Sequence, residues 1–253
     1  MQSNEYFGGL LDAQLIVSVT KTTPAALRVM LACDDERVFR EIHTILTPAR
    51  ETIIRKPGKR DSCVALLAGE EATKALAFAA EHCLIKKAMA AAALAFITGT
   101  GTLEAFTGIC QAPSADDGSP TQFDDVDVSA EWISGFFDVR GTVTAPAAAE
   151  PAPAAAEPDG EESDTSADGK PGKKAAKKKR APGVKRGVIK IVLPKSEKYV
   201  IPMIQKVVGG KVKRSSPCRI VFDSKDHLTK FIEVLGDHVR VKRSDLAEVT
   251  ASA

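Results

Sequence analysis

The sequence predicts an α+β fold, α/β in the broad sense, in which the order α-β-β-α-β-β-α occurs twice and gives two pseudo-symmetric half-domains. Three observations predict it: a near-repeated motif at the head of each half, pairs of β-branched runs divided by Pro or Gly turns, and apolar residues at helical spacing between those pairs. The first motif is Tyr6-Phe7-Gly8-Gly9-Leu10-Leu11-Asp12-Ala13-Gln14-Leu15 and the second is Trp132-Ile133-Ser134-Gly135-Phe136-Phe137-Asp138-Val139-Arg140-Gly141. Each reads aromatic, apolar, small, Gly, two apolar, Asp. Small residues on an apolar helix let a second helix approach backbone to backbone. The halves are therefore expected to meet through paired motif helices, with Gly8, Gly9, Asp12, Ser134, Gly135 and Asp138 at the interface.

The first half is assigned to residues 1–110. A helix through Asp12 or Gln14 gives way to a strand over Leu15 to Thr22, broken by Thr23-Pro24, and Ala25 to Cys33 returns as its hairpin partner. Asp34-Asp35-Glu36 places acids on the first turn of the next helix, where the macrodipole favours them, and Val38, Phe39, Ile42, Ile45 and Leu46 recur at helical spacing until Pro48. Glu51 to Lys56 and Asp61 to Ala68 form a second hairpin around Pro57-Gly58, followed by helices over Glu70 to Phe78 and Ile85 to Ile97.

Residues 111–127, rich in Pro, Ser, Gly and Asp, read as a linker to a second half over 128–253. After the second motif a strand begins at Gly141 and is interrupted by a low-complexity insertion, 145–186, which is Ala/Pro/Glu-rich, then acidic, then basic. Such a composition cannot bury a core and is expected to be disordered unless a partner orders it. The pattern resumes with a strand over Val188 to Leu193 and a helix from Ser196 to about Val208, which holds Pro202 and is closed by Gly209-Gly210. A hairpin of Lys211 to Arg214 with Cys218 to Asp223 follows, then an amphipathic helix from Lys225 to Leu235.

Composition narrows the function. The most apolar run, Ala88 to Thr98, is too short to span a bilayer. Met1 stands too close to the first motif for a secretory or transit peptide. Cys33, Cys63, Cys83, Cys110 and Cys218 are odd in number and lack C-x-x-C spacing, which argues against a disulfide framework and a zinc site and fits a reducing compartment. His82-Cys83 and the pair His227 and His238 complete no local ligand set, so no metal and no cofactor is expected. The net charge of +2 conceals a division: residues 1–144 hold 13 basic and 19 acidic residues, whereas 170–253 hold 22 basic and 7 acidic. Polarised charge of this kind is the footprint of a nucleic-acid binder.

The two motifs, each opening the same element order, resemble the LAGLIDADG homing endonuclease and maturase family; Leu84-Ile85-Lys86-Lys87-Ala88 and Gly209-Gly210-Lys211-Val212 are similar to the family's segments too. The resemblance covers most of the chain outside 111–127 and 145–186. It implies saddle-shaped antiparallel sheets over a nucleic-acid groove and motif helices packed at a pseudo-two-fold axis. It also implies that in active members the last acid of each motif binds divalent metal at the scissile phosphates. The matching positions here are Gln14 and Arg140. An amide is a poorer ligand for Mg²⁺ than a carboxylate, and an arginine opposes the ion outright. From this the chain is expected not to be an enzyme, with no catalytic residue and nucleic-acid binding retained.

On a sheet with one face packed on helices, alternate residues face outward. The expected phosphate contacts are Lys21, Arg28, Arg55, Arg60, Lys190, Lys211, Lys213 and Arg219 from the strands, with Lys177, Lys178, Lys179, Arg180, Lys185 and Arg186 from the insertion. The expected partner is structured RNA, ribosomal or intronic. The chain would act as a component of an organellar ribosome alongside other ribonucleoprotein proteins, or as a maturase-like splicing factor, and mitochondrial location is favoured over nucleus or cytoplasm. Alternatives are a DNA homing endonuclease with residual cleavage or nicking, a DNA-binding regulator, and a protein-interaction scaffold. Internal duplication predicts a monomer without membrane attachment.

Overall fold

The structure, a computed structural model, describes residues 3–20, 26–48, 50–54, 62–111, 127–145, 187–214 and 217–250. Helix α1 (Asn4–Gln14) runs directly into β1 (Leu15–Val19), which pairs antiparallel with β2 (Leu27–Cys33). Helix α2 (Glu36–Ile42) follows, its N-terminus capped by the Asp35 carboxylate, which accepts from the Arg37 N–H at 3.0 Å. Strands β3 (Arg50–Ile54) and β4 (Ser62–Leu67) complete a sheet of order β1-β2-β4-β3, and α3 (Gly69–His82), α4 (Lys87–Ile97) and α5 (Leu103–Gln111) close the first half.

The second half begins at α6 (Ala130–Arg140), capped by Ser129, whose hydroxyl oxygen accepts from Trp132 N–H at 3.1 Å. Strands β5 (Gly141–Thr144), β6 (Val188–Leu193), β7 (Lys211–Lys213) and β8 (Cys218–Phe222) form a second sheet of order β5-β6-β8-β7. The strand order is that of the first sheet. Helix α7 (Ile201–Val208) lies between the two hairpins, and α8 (Lys225–Leu235) and α9 (Arg243–Thr250) end the chain.

Strands β4 and β6 alternate buried and half-buried residues along their length, because the inward set of each sheet meets helices and the outward set does not. One core gathers Phe7, Leu10, Val29, Leu31, Phe39, Cys63 and Leu76; the other gathers Ile133, Phe137, Ile189, Ile191, Ile220, Phe222 and Phe231. Phe231 stands edge-on to Phe137 with ring centroids 4.9 Å apart, which locks α8 to the motif helix.

Between the halves α1 crosses α6 at the smallest residues. A Cβ on Gly9 would overlap the carbonyl oxygen of Trp132, and one on Gly135 would overlap that of Tyr6. The crossing is reciprocal, and glycine is required at both positions by backbone contact.

Three departures from the sequence reading have local causes. The helix expected from Ser196 starts as a 3₁₀ turn over Lys195–Val200 and becomes α-helical at Ile201, so that Pro202 stands in the first turn, where its missing N–H costs least. Helices α5 and α9 were not expected: each is short and anchored by few apolar residues, Phe106 in one and Leu246 and Val249 in the other, too little periodicity to read. Among the described residues no helix is long and apolar enough to cross a membrane.

Candidate nucleic-acid interface and central cavity

The two motif aspartates form a crossed pair. The Asp12 carboxylate accepts backbone N–H bonds from Leu84, Ile85 and Lys86 at 2.7–3.1 Å, and the indole Nε1–H of Trp132 at 2.9 Å. The Asp138 carboxylate accepts from the backbone of Arg240, Val241 and Lys242 at 3.0–3.2 Å, and from the Tyr6 hydroxyl at 2.8 Å. Each aspartate thus holds the turn after the third helix of its own half and is held by the aromatic head of the other half's motif. Burial raises both carboxyl pKa values, against the N–H donors, which favour the charged form. Burial, with the Asp138 charge adding to it, likewise drives the Tyr6 phenol far above its ordinary value.

The other residues expected at the interface separate in role. Gly9 and Gly135 make the crossing. Gly8 faces the end of α3, where a Cβ would overlap the carbonyl oxygen of His82, and the Ser134 hydroxyl bonds back to the Ala130 carbonyl at 2.8 Å.

The aspartate-held turns deliver two lysines. Lys86 Nζ donates to the Leu15 carbonyl at 2.7 Å, and Lys242 Nζ donates to the carbonyls of Phe137, Asp138 and Gly141 at 2.5–3.2 Å. Lys242 is buried. These two residues were absent from the sequence-based site. The readable signal was an apolar-rich stretch ending in Lys after the third helix of each half, Leu84-Ile85-Lys86 and Val239-Arg240-Val241-Lys242.

Between the strand-side ends of α1 and α6 opens a cavity of about 980 Å³, whose lining includes Gln14, Lys86, Arg140, Glu197 and Lys242. Gln14 is only 1 % exposed, and among the described residues neither its amide oxygen nor its amide nitrogen has a hydrogen-bond partner. Arg140 Nη2 lies 3.7 Å from Glu197 Oε1, while Arg140 Nε and Glu197 Oε2 have no hydrogen-bond partner among the described residues. Burial lowers the pKa of Lys86 and raises that of Glu197; Lys86 and Arg140 pull the latter back down. At the other end Arg37 is held by Asp35 at 2.9 Å and Asp245 at 3.1 Å, tying the first half to the second.

This donor set does not fit a divalent cation. Among the described residues the cavity is lined by the carboxylates of Asp34, Asp35, Glu36, Glu197 and Asp245; of these Glu197 is the one within reach of Arg140, at 3.7 Å, where it also feels the charge of Lys86, and no three His, Cys, Asp or Glu side chains gather to hold a metal ion.

The strand cations are unevenly placed. Lys190 on β6 is in register with Val221 and Lys211, and Arg219 on β8 with Val192 and Lys213, so two basic rungs cross the outer face of the second sheet. Lys211 is paired with Asp223 at 2.9 Å. Arg28 is exposed on β2, opposite Ser18. Lys21, Arg55, Arg60, Lys177, Lys178, Lys179, Arg180, Lys185 and Arg186 lie outside the described residues.

No family model and no curated protein matches the sequence. Solved structures do match over the whole chain. The LAGLIDADG homing endonuclease I-GzeII, in complex with its DNA target, superposes with a TM-score of 0.60 at 12% identity, covering 99% of this chain and 89% of its own. I-LtrWI bound to target DNA gives 0.58 at 16% identity, covering 98% and 88%. The meganuclease I-AabMI bound to uncleaved DNA gives 0.55 at 12%, covering 99% and 90%.

One expectation is corrected by these neighbours. The chain was expected not to be an enzyme, but the structures it resembles are endonucleases, which are enzymes. Gln14 and Arg140 are only two of the side chains at this centre; the cavity they line also holds Lys86 and Glu197, brought in from elsewhere in the sequence. The identity of two positions does not decide the activity of such a centre. What the strand order, the paired motif helices and the full-length superpositions establish is that the chain has the fold of the LAGLIDADG homing endonucleases.

Proposed function

We propose that the chain binds a nucleic-acid duplex across its two sheets, with duplex DNA as the first expectation because solved structures of the same fold are bound to target DNA. The observation that carries this reading is the pair of basic rungs, Lys190 with Lys211 and Arg219 with Lys213, on the open face of the second sheet. Cations at strand spacing on an open sheet face suit phosphate oxygens.

Structured RNA is the second reading, as a ribosomal or intron-splicing component in an organelle such as the mitochondrion. It is favoured by the nine basic residues of Lys170 to Arg186, a composition that suits threading along RNA and ordering on contact.

The test is fluorescence anisotropy of the full chain with labelled duplex DNA and with structured RNA across a salt series. Log affinity is expected to fall linearly with log salt for the true partner. Crosslinking and sequencing of the nucleic acid that accompanies the native protein identifies it, and an Mg²⁺ arm reports cleavage in the same samples. Absence of salt-dependent binding to either polymer removes the reading and leaves a protein-interaction scaffold.

A further inference from the structure

Buried polar atoms without partners are rare because each costs the desolvation of its group. Setting aside His43 Nε2, which faces Glu51 Oε1 at 2.9 Å, six such side-chain atoms occur among the described residues, and four of them, Gln14 Nε2 and Oε1, Arg140 Nε and Glu197 Oε2, line the central cavity. They are supplied by α1, α6 and the 3₁₀ turn before α7, three segments with no local reason to share a defect. Such clustering marks a place built for an occupant.

The charges say which kind. Lys242 spends its ammonium on three carbonyls, whereas among the described residues Lys86 donates to one, that of Leu15, and so has N–H donors left to aim into the space. Arg140 retains an unpartnered Nε and a long contact to Glu197, and its side chain is 32% exposed, within reach from the groove. Gln14 adds an amide N–H₂. Two cations and an amide donor surround one carboxylate that meets none of them at full hydrogen-bond distance.

We propose that this cluster is a phosphate seat, in which Arg140, Lys86 and Gln14 hold a backbone phosphate by direct donation, and that Glu197 is the internal anion that occupies the seat in the free protein. The inference rests on the nucleic-acid reading and deepens it. A guanidinium and an ammonium bind a phosphate oxyanion without a bridging cation, which is the arrangement this donor set permits. When phosphate arrives, Glu197 yields Arg140 and Lys86 to it, so the carboxylate lowers affinity and sets a threshold for occupancy. Arg140 is thereby a ligand of the polymer at the position where the resembled family carries an acid.

The experiment uses the full chain in EDTA with inorganic phosphate as probe, read by calorimetry and ³¹P line width, and in parallel with duplex DNA by anisotropy. Removing the competing charge by Glu197→Gln is expected to tighten phosphate binding roughly tenfold, and Arg140→Gln to weaken it by at least as much. Thermal melting accompanies each variant. If Glu197→Gln melts early, Glu197→Asp, which withdraws the carboxylate by one methylene, is expected to move affinity in the same direction. Phosphate binding that is unchanged by both Glu197 and Arg140 substitutions, or that requires added divalent metal, overturns the seat. Failure of the wild-type chain to bind either duplex DNA or RNA overturns the nucleic-acid reading instead, and phosphate binding that still responds to Arg140 and Glu197 would stand apart from it.

Discussion

The two sheets share a strand order and an inward pattern but present opposite outer faces. On the first, Ile16, Met30 and Leu66 lie side by side in one rung, with Ala32 and Val64 paired in the next, Ile16 being 41% exposed and Arg28 and Arg50 the described strand cations. On the second, Lys190, Lys211, Lys213 and Arg219 occupy the equivalent surface. The helix interface has not diverged in this way: Gly9 meets Gly135, and Asp12 and Asp138 make the same set of bonds. Interface positions are fixed reciprocally by backbone contact and by buried carboxylates whose donors come from both halves. The described outer-face cations are tied at most locally, as Lys211 is to Asp223, so each sheet is free to follow its own ligand. Grip on phosphate is expected to be one-sided.

The largest effect is expected where the halves are alike. Gly9→Ala or Gly135→Ala forces a methyl into a carbonyl of the opposing helix, and backbone cannot rotate away as a side chain can. A loss of about 3 kcal/mol, the upper end for overpacking, is expected in denaturant titration. Gly108 on α5 has open space where its Cβ would be, so Gly108→Ala is the control, neutral or stabilising by up to about 1 kcal/mol. Equal melting temperatures for Gly9→Ala and Gly108→Ala would break the account of the interface.

The next effect separates the faces. Substituting Lys190, Lys211, Lys213 and Arg219 together by Gln is expected to reduce the salt slope of nucleic-acid binding by about 3 to 4, the Lys211 share being least because Asp223 already neutralises it. The same change at Arg28 and Arg50 is expected to reduce it by about 1 to 2. Equal slopes for the two variants would mean that the apolar face carries as much of the contact as the basic one.

How far this was legible follows from range. The motif glycines and aspartates could be read because their meaning lies within ten residues and is written twice. Element order was legible for the same reason, since Val188 to Leu193 and Lys225 to Leu235 state their periods locally. The centre was not. Glu197 reaches Arg140 across an insertion, and Lys86 reaches the end of α1 from some 70 residues away, so no spacing announced either. The uneven faces were half visible in the charge division between the halves. Which cations share a rung depended on register, which a single strand does not disclose.

The two lysines held at matching places differ in what they bond: Lys242 Nζ donates to three carbonyls and Lys86 Nζ to that of Leu15. Lys242→Met leaves three buried carbonyls without their donor and is expected to cost about 1–3 kcal/mol. Lys86→Met removes one bond and also an ammonium whose burial is unfavourable, so it is expected to change neutral-pH stability by less than about 1 kcal/mol while weakening nucleic-acid binding. The pH dependence gives the sign. With the native pKa of Lys86 pushed below its unfolded value by burial, the unfolded chain binds the proton more tightly between the two values, and stability from this group rises with pH there. Its contribution is fully present above the unfolded lysine value and is lost as pH falls through the native one. The stability difference between wild type and Lys86→Met should therefore shift in favour of wild type as pH climbs through the alkaline range. A difference that stays flat with pH would mean that Lys86 is as well solvated as a surface lysine, and the cavity would then lose Lys86 as a buried cation beside Arg140 and Glu197.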